Sequence, residues 1–261
     1  AIVVGSFKGG ERTLFALSAT KEWDTKAGRF DLFFSYTHAD VKDIGYGTSA
    51  TATSNYSDFA AYDRQSPREG ISNYQVEHML KLRFNWRKEF VPGYETRVSL
   101  FATRRSGQPY SYTFSENNNC VLDVGGGRCP RESRNDDAGH LLYVPAGIND
   151  PLFSPASFGG DAAAQQAFID YIDSSELAQY RGGIAPRNND NSPMTTIVDL
   201  RLQQELPTLR SDHSFKLIVD IENLGNLLND DWGRIERTRY EFERDVVSAV
   251  INNGQYEYLR L

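Results

Sequence analysis

Residues 74–88 constrain the fold most strongly, because their side chains alternate between apolar and polar. Apart from His78 and Met79, the even positions as far as Trp86 are apolar and the odd positions are polar or charged. This period of two predicts one β-strand with an apolar face and a charged face. Ordinary strands are about five or six residues long, whereas a tilted strand of this length matches a bilayer core of roughly 25 to 30 Å. The length of the strand therefore favours a membrane.

The same alternation recurs along the chain and predicts an all-β, antiparallel fold of about nine strands. The clearest further strands lie at residues 30–37, 96–103, 198–203 and 215–222. Weaker patterns occur at residues 14–23 and 234–243. A last hairpin is predicted at residues 246–251 and 256–259, where Asn252, Asn253 and Gly254 suit a tight turn.

The composition narrows the class of protein further. Only 39% of the residues are hydrophobic, and no stretch approaches the roughly 20 apolar residues that a membrane-spanning helix needs, which excludes a polytopic helical protein. The formal net charge of −7 argues against a nucleic-acid partner. Aromatic residues reach 12%, which fits either a soluble all-β protein or a transmembrane β-barrel.

The connections between the predicted strands differ sharply in length. Residues 24–28, 90–93 and 207–211 form tight turns, whereas residues 43–73 and 106–195 form long loops. Short turns at one end and long loops at the other are typical of outer-membrane barrels. Within the second loop, residues 161–180 predict one short amphipathic helix, capped by Asp161 and stopped at Gly182 and Gly183.

In a transmembrane barrel the two faces of these strands would meet different solvents, which assigns a side to each residue. The residues predicted to face a watery lumen are Gln75, Glu77, Lys81, Arg83, Arg87, Arg97, Asp199 and Arg201. The residues predicted to face lipid are Tyr74, Val76, Leu80, Leu82, Phe84, Trp86, Val98, Leu100, Leu200, Leu202, Leu217 and Val219.

The sequence offers little that predicts chemistry. Cys120 and Cys129 lie in a polar, glycine-rich stretch, where a local disulfide is favoured over free thiols. The four histidines lack partners at metal-ligand spacing, and His38 and His78 suit a membrane interface better than a metal. No nucleophile motif or carboxylate pair is recognisable, so we predict neither an enzyme nor a cofactor.

Two further stretches carry a family resemblance. Residues 104–114, RRSGQPYSYTF, resemble the SGxPYSY stretch at a strand end in TonB-dependent outer-membrane receptors of the Oar-like type. Residues 221–233, IENLGNLLNDDWG, resemble the NLxNLLNxxWG segment near the C-terminus of the same proteins. With the strand that ends at Trp86, the order and spacing of these stretches match over most of residues 7–233.

This resemblance implies the C-terminal part of a 22-stranded barrel in the outer membrane of a Gram-negative bacterium, with extracellular loops. Such a barrel takes up or exports a bulky solute of a kind that the sequence does not identify. The implied partners are outer-membrane lipid, the remaining strands and the plug of a longer chain, and TonB through an N-terminal part. Residues 1–5 lack the features of a signal peptide, and we expect the plug and the last strand to lie outside residues 1–261.

A soluble all-β module that binds carbohydrate or another ligand is the main alternative. In such a module the rings of Trp86, Phe84 and Tyr74 would be exposed platforms for stacking on sugars. An enzyme ranks third, because the catalytic constellations are missing.

Overall fold

The computed structural model describes residues 9–45, 49–52, 55, 59–63, 66, 68–115, 139–208, 213, 215–238 and 242–260. Strands dominate these residues and helices are short, so the predicted all-β class is confirmed. Among them, no helix combines the length and the apolar character needed to cross a membrane. The predicted disulfide between Cys120 and Cys129 lies outside the described residues.

The strands of the described residues are numbered in chain order. They are β1 (Glu11–Thr25), β2 (Gly28–Asp43), β3 (Gly70–Ile71), β4 (His78–Val91), β5 (Tyr94–Arg105), β6 (Pro109–Phe114), β7 (Tyr143–Val144), β8 (Gly183–Ile184), β9 (Asp190–Asn191), β10 (Thr195–Leu206), β11 (Phe215–Ile221), β12 (Glu243–Asn252) and β13 (Gln255–Arg260). The helices are α1 (Ala162–Asp173) and α2 (Leu224–Leu228), with 3-10 turns at Ser157–Gly160 and Glu176–Tyr180.

Six strands form one antiparallel sheet in the order β1-β2-β4-β5-β10-β11, and the short β3 pairs with the end of β2. Five of the six are between 12 and 16 residues long. Their positions agree with the strands that the alternation predicts. One boundary was wrong: residues 74–77 precede β4, because a turn at Ser72, closed by a 3.0 Å hydrogen bond from Gln75 N to Ser72 O, delays the strand.

The register places the short and long connections at opposite ends of this sheet. Thr25 pairs with Gly28 and Val91 pairs with Tyr94, so these two turns are tight and lie at the same end. At the other end His38 pairs with His78 and Arg105 pairs with Thr195, where the long excursions begin and finish. The predicted sorting of the connections is therefore present for these four junctions.

The remaining elements form a second unit at the long-loop end, which we call the loop unit. It comprises β6 to β9, α1, β12 and β13, in a four-stranded sheet of order β13-β12-β6-β9 and a pair β7-β8. Its buried core is built mainly from aromatic and branched side chains, among them Tyr112, Leu142, Phe168, Ile172 and Tyr258. Within the described residues, this core belongs to the loop unit and not to the six-stranded sheet.

The loop unit corrects several expectations about residues 106–260. Residues 106–195 do not form a loop with one helix; they hold much of a packed unit, and α1 ends at Asp173, earlier than predicted. The hairpin of β12 and β13 packs into this unit, because Val247, Ala249 and Tyr258 are buried in its core. Residues 234–238 are not a strand, and β12 pairs with β6 in parallel, which the antiparallel prediction missed.

The buried ring of Phe168 gives a test of the loop unit as a separate core. Phe168 is fully buried and contacts Phe158 and Tyr258, so Phe168→Ala should cost about 3–5 kcal/mol of local stability. Hydrogen exchange should accelerate across α1 and β13 and stay unchanged in β4 and β5. Phe90→Ala, at an exposed ring, is the matched control. Equal acceleration in β4 and β5 would contradict the separation into two units.

Candidate functional site

The six-stranded sheet presents one apolar face that runs unbroken across every strand but the first. One row across the sheet consists of Lys21, Leu32, Phe84, Leu100, Leu200 and Ile221, and the next consists of Trp23, Phe30, Trp86, Val98, Leu202 and Val219. The predicted lipid-facing residues from Leu80 to Val219 therefore share one face. None of these ten side chains is buried, and Leu217 is 52% exposed. An apolar face that no other described part of the chain covers is unusual in a water-soluble fold.

The opposite face carries the charged residues, and one of them, Asp31 on β2, is buried. Asp31 is only 6% exposed, and its carboxylate accepts hydrogen bonds from Asn85 Nδ2 at 2.7 Å and from Arg83 Nη2 at 3.2 Å. In the same row across the sheet, three strands further along, Arg201 donates to both oxygens of Asp220, at 2.6 and 2.9 Å. The predicted lumen-facing residues of the sheet lie on this face: Lys81, Arg83, Arg87, Arg97, Asp199 and Arg201.

The four residues before β4 do not follow the predicted alternation. Gln75 is buried, and its Oε1 accepts a 2.6 Å hydrogen bond from Val41 N, so it fixes the chain instead of facing a lumen. Tyr74 is exposed in the turn before β4, outside the strand that carries Phe84 and Trp86. Val76 and Glu77 also precede β4. The alternation in the sequence of residues 74–77 does not reflect the two faces of the sheet, because these residues lie outside β4.

A cavity of about 410 Å³ opens in the loop region, lined by residues 59–63, 66, 68–69, 141 and 184–187. Arg187 lines it with a side chain that is only 5% exposed. Its Nη2 donates to Asp43 O at 2.6 Å and contacts the Asp43 carboxylate, whereas Nε and Nη1 have no hydrogen-bond partner among the described residues. Buried guanidinium donors normally find acceptors, so the cavity favours an anionic or carbonyl group of a ligand.

The SGxPYSY-like stretch supplies a polar cluster inside the loop unit. Tyr110 and Tyr112, both on β6, donate hydrogen bonds to Asp190 Oδ2 at 2.5 and 2.7 Å. Burial and the Asp190 carboxylate raise the pKa of Tyr110, and burial with the neighbouring hydroxyl raises the pKa of Tyr112 strongly. Upstream, a Cβ at Gly107 would lie 2.0 Å from Ser192 O, which explains the glycine. This cluster locks the strand and offers no free nucleophile.

The sheet also brings together three potential metal ligands. His38 on β2 and His78 on β4 are register partners, and their ring centroids are 5.0 Å apart. Glu77 Oε1 lies 3.5 Å from His78 Nε2. One ligand atom from each residue lies within 4.8 Å of the other two. The spacing along the chain does not reveal this pair, because it carries no information on strand register.

No protein-family model, curated protein or solved structure matches this chain.

The cluster around Asp31 predicts an asymmetry between the polar pairs of the sheet. Asp31→Ala removes the buried acceptor of two side-chain donors and should lower the free energy of unfolding by about 1–3 kcal/mol. Asp220→Ala, which removes an exposed partner of Arg201, should have little effect. Urea unfolding in detergent micelles, followed by tryptophan fluorescence, measures both. Equal losses of unfolding free energy in the two variants would contradict the burial of the Asp31 carboxylate.

The tyrosines predict how the loop unit responds to alkali. Burial and Asp150 raise the pKa of Tyr143 to about 12, and burial raises the pKa of Tyr258 well above its ordinary value. A raised folded-state pKa contributes stability that is complete below about pH 10 and is lost as the pH rises further, by about 1.4 kcal/mol per unit for each hydroxyl. The free energy of opening of α1, obtained from hydrogen exchange after correction for the base-catalysed intrinsic rate, should therefore fall above pH 10.

The variant Tyr112→Phe isolates one of these hydroxyls. It should reduce the slope of local stability against pH above pH 10 while the slope near pH 7 stays the same, because both side chains are neutral there. An identical alkaline slope in the two proteins would contradict a strongly raised pKa at Tyr112.

Proposed function

We propose that this chain forms part of the wall and the extracellular loops of a TonB-dependent outer-membrane transporter of the Oar-like type. The observation that carries the proposal is the apolar face of the six-stranded sheet, which is continuous and lacks a covering layer in the described residues. A bilayer supplies the missing apolar layer, and a hydrated lumen suits the charged face behind it. The sequence resemblance names the family, and the sidedness of the sheet supports it.

The dimensions of the sheet support a membrane-spanning role. Strands of 12 to 16 residues are long enough, at about 3.3 Å per residue, to cross a bilayer core with a tilt and to project beyond it. Among the described strands, β1 and β11 pair on one side only. Since lipid cannot satisfy backbone groups at an open edge, we infer that both edges pair with further strands of a larger, 22-stranded barrel.

The loop unit then lies on the extracellular side, where a solute first meets the protein. The cavity lies between parts of the two long excursions, and two donors of Arg187 lack partners there among the described residues. We place the first contact with a bulky solute at this cavity. The chain itself acts as wall and loops, without catalysis.

The alternative, a soluble carbohydrate-binding module, requires exposed aromatic rings on the same face that stack on sugars. The three rings that this alternative predicts do not form one platform, because Tyr74 lies outside β4 and Trp86 Nε1 is committed to Ala27 O at 2.9 Å. The remaining face is broad and aliphatic as well as aromatic, with Leu82, Val98 and Leu200 across three strands. Sugars bind flat aromatic patches, and this face suits hydrocarbon better.

Two neighbouring residues on β5 test which medium meets the apolar face. Leu100 lies on the apolar face and Ser99 on the polar face, beside Arg201. Leu100→Arg should cost about 2–4 kcal/mol in a bilayer and deplete the protein from the outer-membrane fraction of the host. Ser99→Arg is the matched control and should leave the amount in that fraction unchanged. Quantitative blotting of carbonate-washed outer membranes measures both.

The opposite pattern identifies the alternative. If the wild-type chain is recovered without detergent in the soluble fraction, and Leu100→Arg is tolerated there as well as Ser99→Arg is, the face meets water and the transporter proposal is wrong. If both variants are depleted from every fraction but can still be purified, hydrogen exchange on the purified protein distinguishes general misfolding from a defect confined to the apolar face.

A further inference from the structure

The cluster of His38, Glu77 and His78 lies where the six-stranded sheet meets the long excursions. His38 and His78 lie on the same face of β2 and β4 as Tyr36 and Leu80, two residues further towards the long-loop end. All three side chains are partly exposed, so an ion can reach them. Two imidazoles and one carboxylate are the donors that zinc and related ions bind, with a fourth position left to water or another ligand.

The backbone around this cluster is fixed on both sides. Ala39 N donates to Glu77 O at 2.9 Å, and Ser106 N donates to His78 O at 2.9 Å. His78 N in turn donates to Ser106 Oγ at 3.0 Å. The three ligands are therefore held by neighbouring strands, and only side-chain rotations are needed to bring their atoms to metal-bonding distance. A preorganised backbone lowers the conformational cost of binding.

The ring of His78 already has the partner that a metal-binding histidine needs. Its Nδ1 lies 2.9 Å from the Tyr36 hydroxyl, and its Nε2 faces Glu77. When Nδ1–H donates to Tyr36, the lone pair of Nε2 is free for a metal, and the second hydrogen bond fixes the orientation of the ring. Asn191 Nδ2 similarly lies 3.5 Å from Glu77 Oε2, the carboxylate oxygen that does not face His78.

We propose that His38, Glu77 and His78 form a binding site for a divalent transition-metal ion of the zinc class, with Tyr36 as the positioning residue of His78. The ion would join β2 and β4 to the excursion that ends at Glu77. This inference does not depend on the transporter proposal, because it concerns only the register of two strands and the segment before one of them.

Cobalt is a suitable probe, because Co²⁺ takes the same ligands as Zn²⁺ and absorbs visible light. The full chain, purified without a polyhistidine tag, is titrated with Co²⁺ and then with Zn²⁺. We expect one saturable site whose visible absorption indicates low coordination number and which Zn²⁺ displaces. The near-ultraviolet charge-transfer band of a cobalt–thiolate bond should be absent, which distinguishes this site from one at Cys120 and Cys129.

Three variants and one matched control assign the ligands. His38→Ala and Glu77→Gln should each weaken Co²⁺ binding by more than about 10-fold, and Tyr36→Phe should weaken it by about 10-fold through loss of the outer hydrogen bond. His213→Ala, at a histidine outside the cluster, should bind as the wild type does. Wild-type binding that does not saturate, or unchanged affinity in His38→Ala, would overturn the proposal.

A measurement on the unaltered protein guards against variants that misfold. X-ray absorption of the zinc-loaded wild-type chain should show scattering from two imidazole rings and from oxygen, with no sulfur in the first shell. A spectrum with sulfur ligands, or with oxygen ligands only, would overturn the proposal whatever the variants do.

Discussion

The uncovered apolar face of the six-stranded sheet is the constraint from which the rest of the structure follows. Burying apolar surface is worth about 25 cal/mol per Å², and a sheet in water normally gains this by packing against a second layer. Here the described residues offer no such layer, and Asp31, a carboxylate on the opposite face, is buried. In the proposed barrel the bilayer replaces the missing layer, and a hydrated lumen solvates Arg83 and Arg201 behind the sheet.

The loop unit follows a different rule, since it has its own buried core and needs no membrane. Its aromatic residues pack on each other, as Tyr143 and Tyr256 do with ring centroids 4.7 Å apart. The two units meet through polar groups: Arg187 donates to Asp43 O, and Asn188 Nδ2 donates to Ile71 O at 2.7 Å. Such hydrogen bonds contribute about 0.5–1.5 kcal/mol each, much less than a core does.

Periodicity predicted the long strands of the six-stranded sheet because their two faces differ in polarity. It missed β6 as a core strand, although Tyr110, Tyr112 and Phe114 alternate with Ser111 and Thr113, because both sets of side chains are buried and the segment was placed in a long loop. The parallel pairing of β6 with β12 joins segments more than 100 residues apart, for which the sequence has no local signal. The His38–His78 pair could have been found by aligning the apolar positions of β2 with those of β4, because each histidine occupies the next position on the same face of its strand. Glu77 could not, since its position depends on the turn at Ser72.

The histidine cluster lies where a bound metal ion would stabilise the junction between the six-stranded sheet and the loop unit. Glu77 belongs to the excursion and also lies beside Asn191 of the loop unit, whereas His38 and His78 belong to the wall. An ion that binds all three stabilises the arrangement that brings them together, by about 2.7 kcal/mol at a concentration 100 times its dissociation constant. That stabilisation equals about two to five of the hydrogen bonds that hold the loop unit to the sheet, at about 0.5–1.5 kcal/mol each. A bound ion therefore strengthens this polar junction as much as several of its hydrogen bonds do.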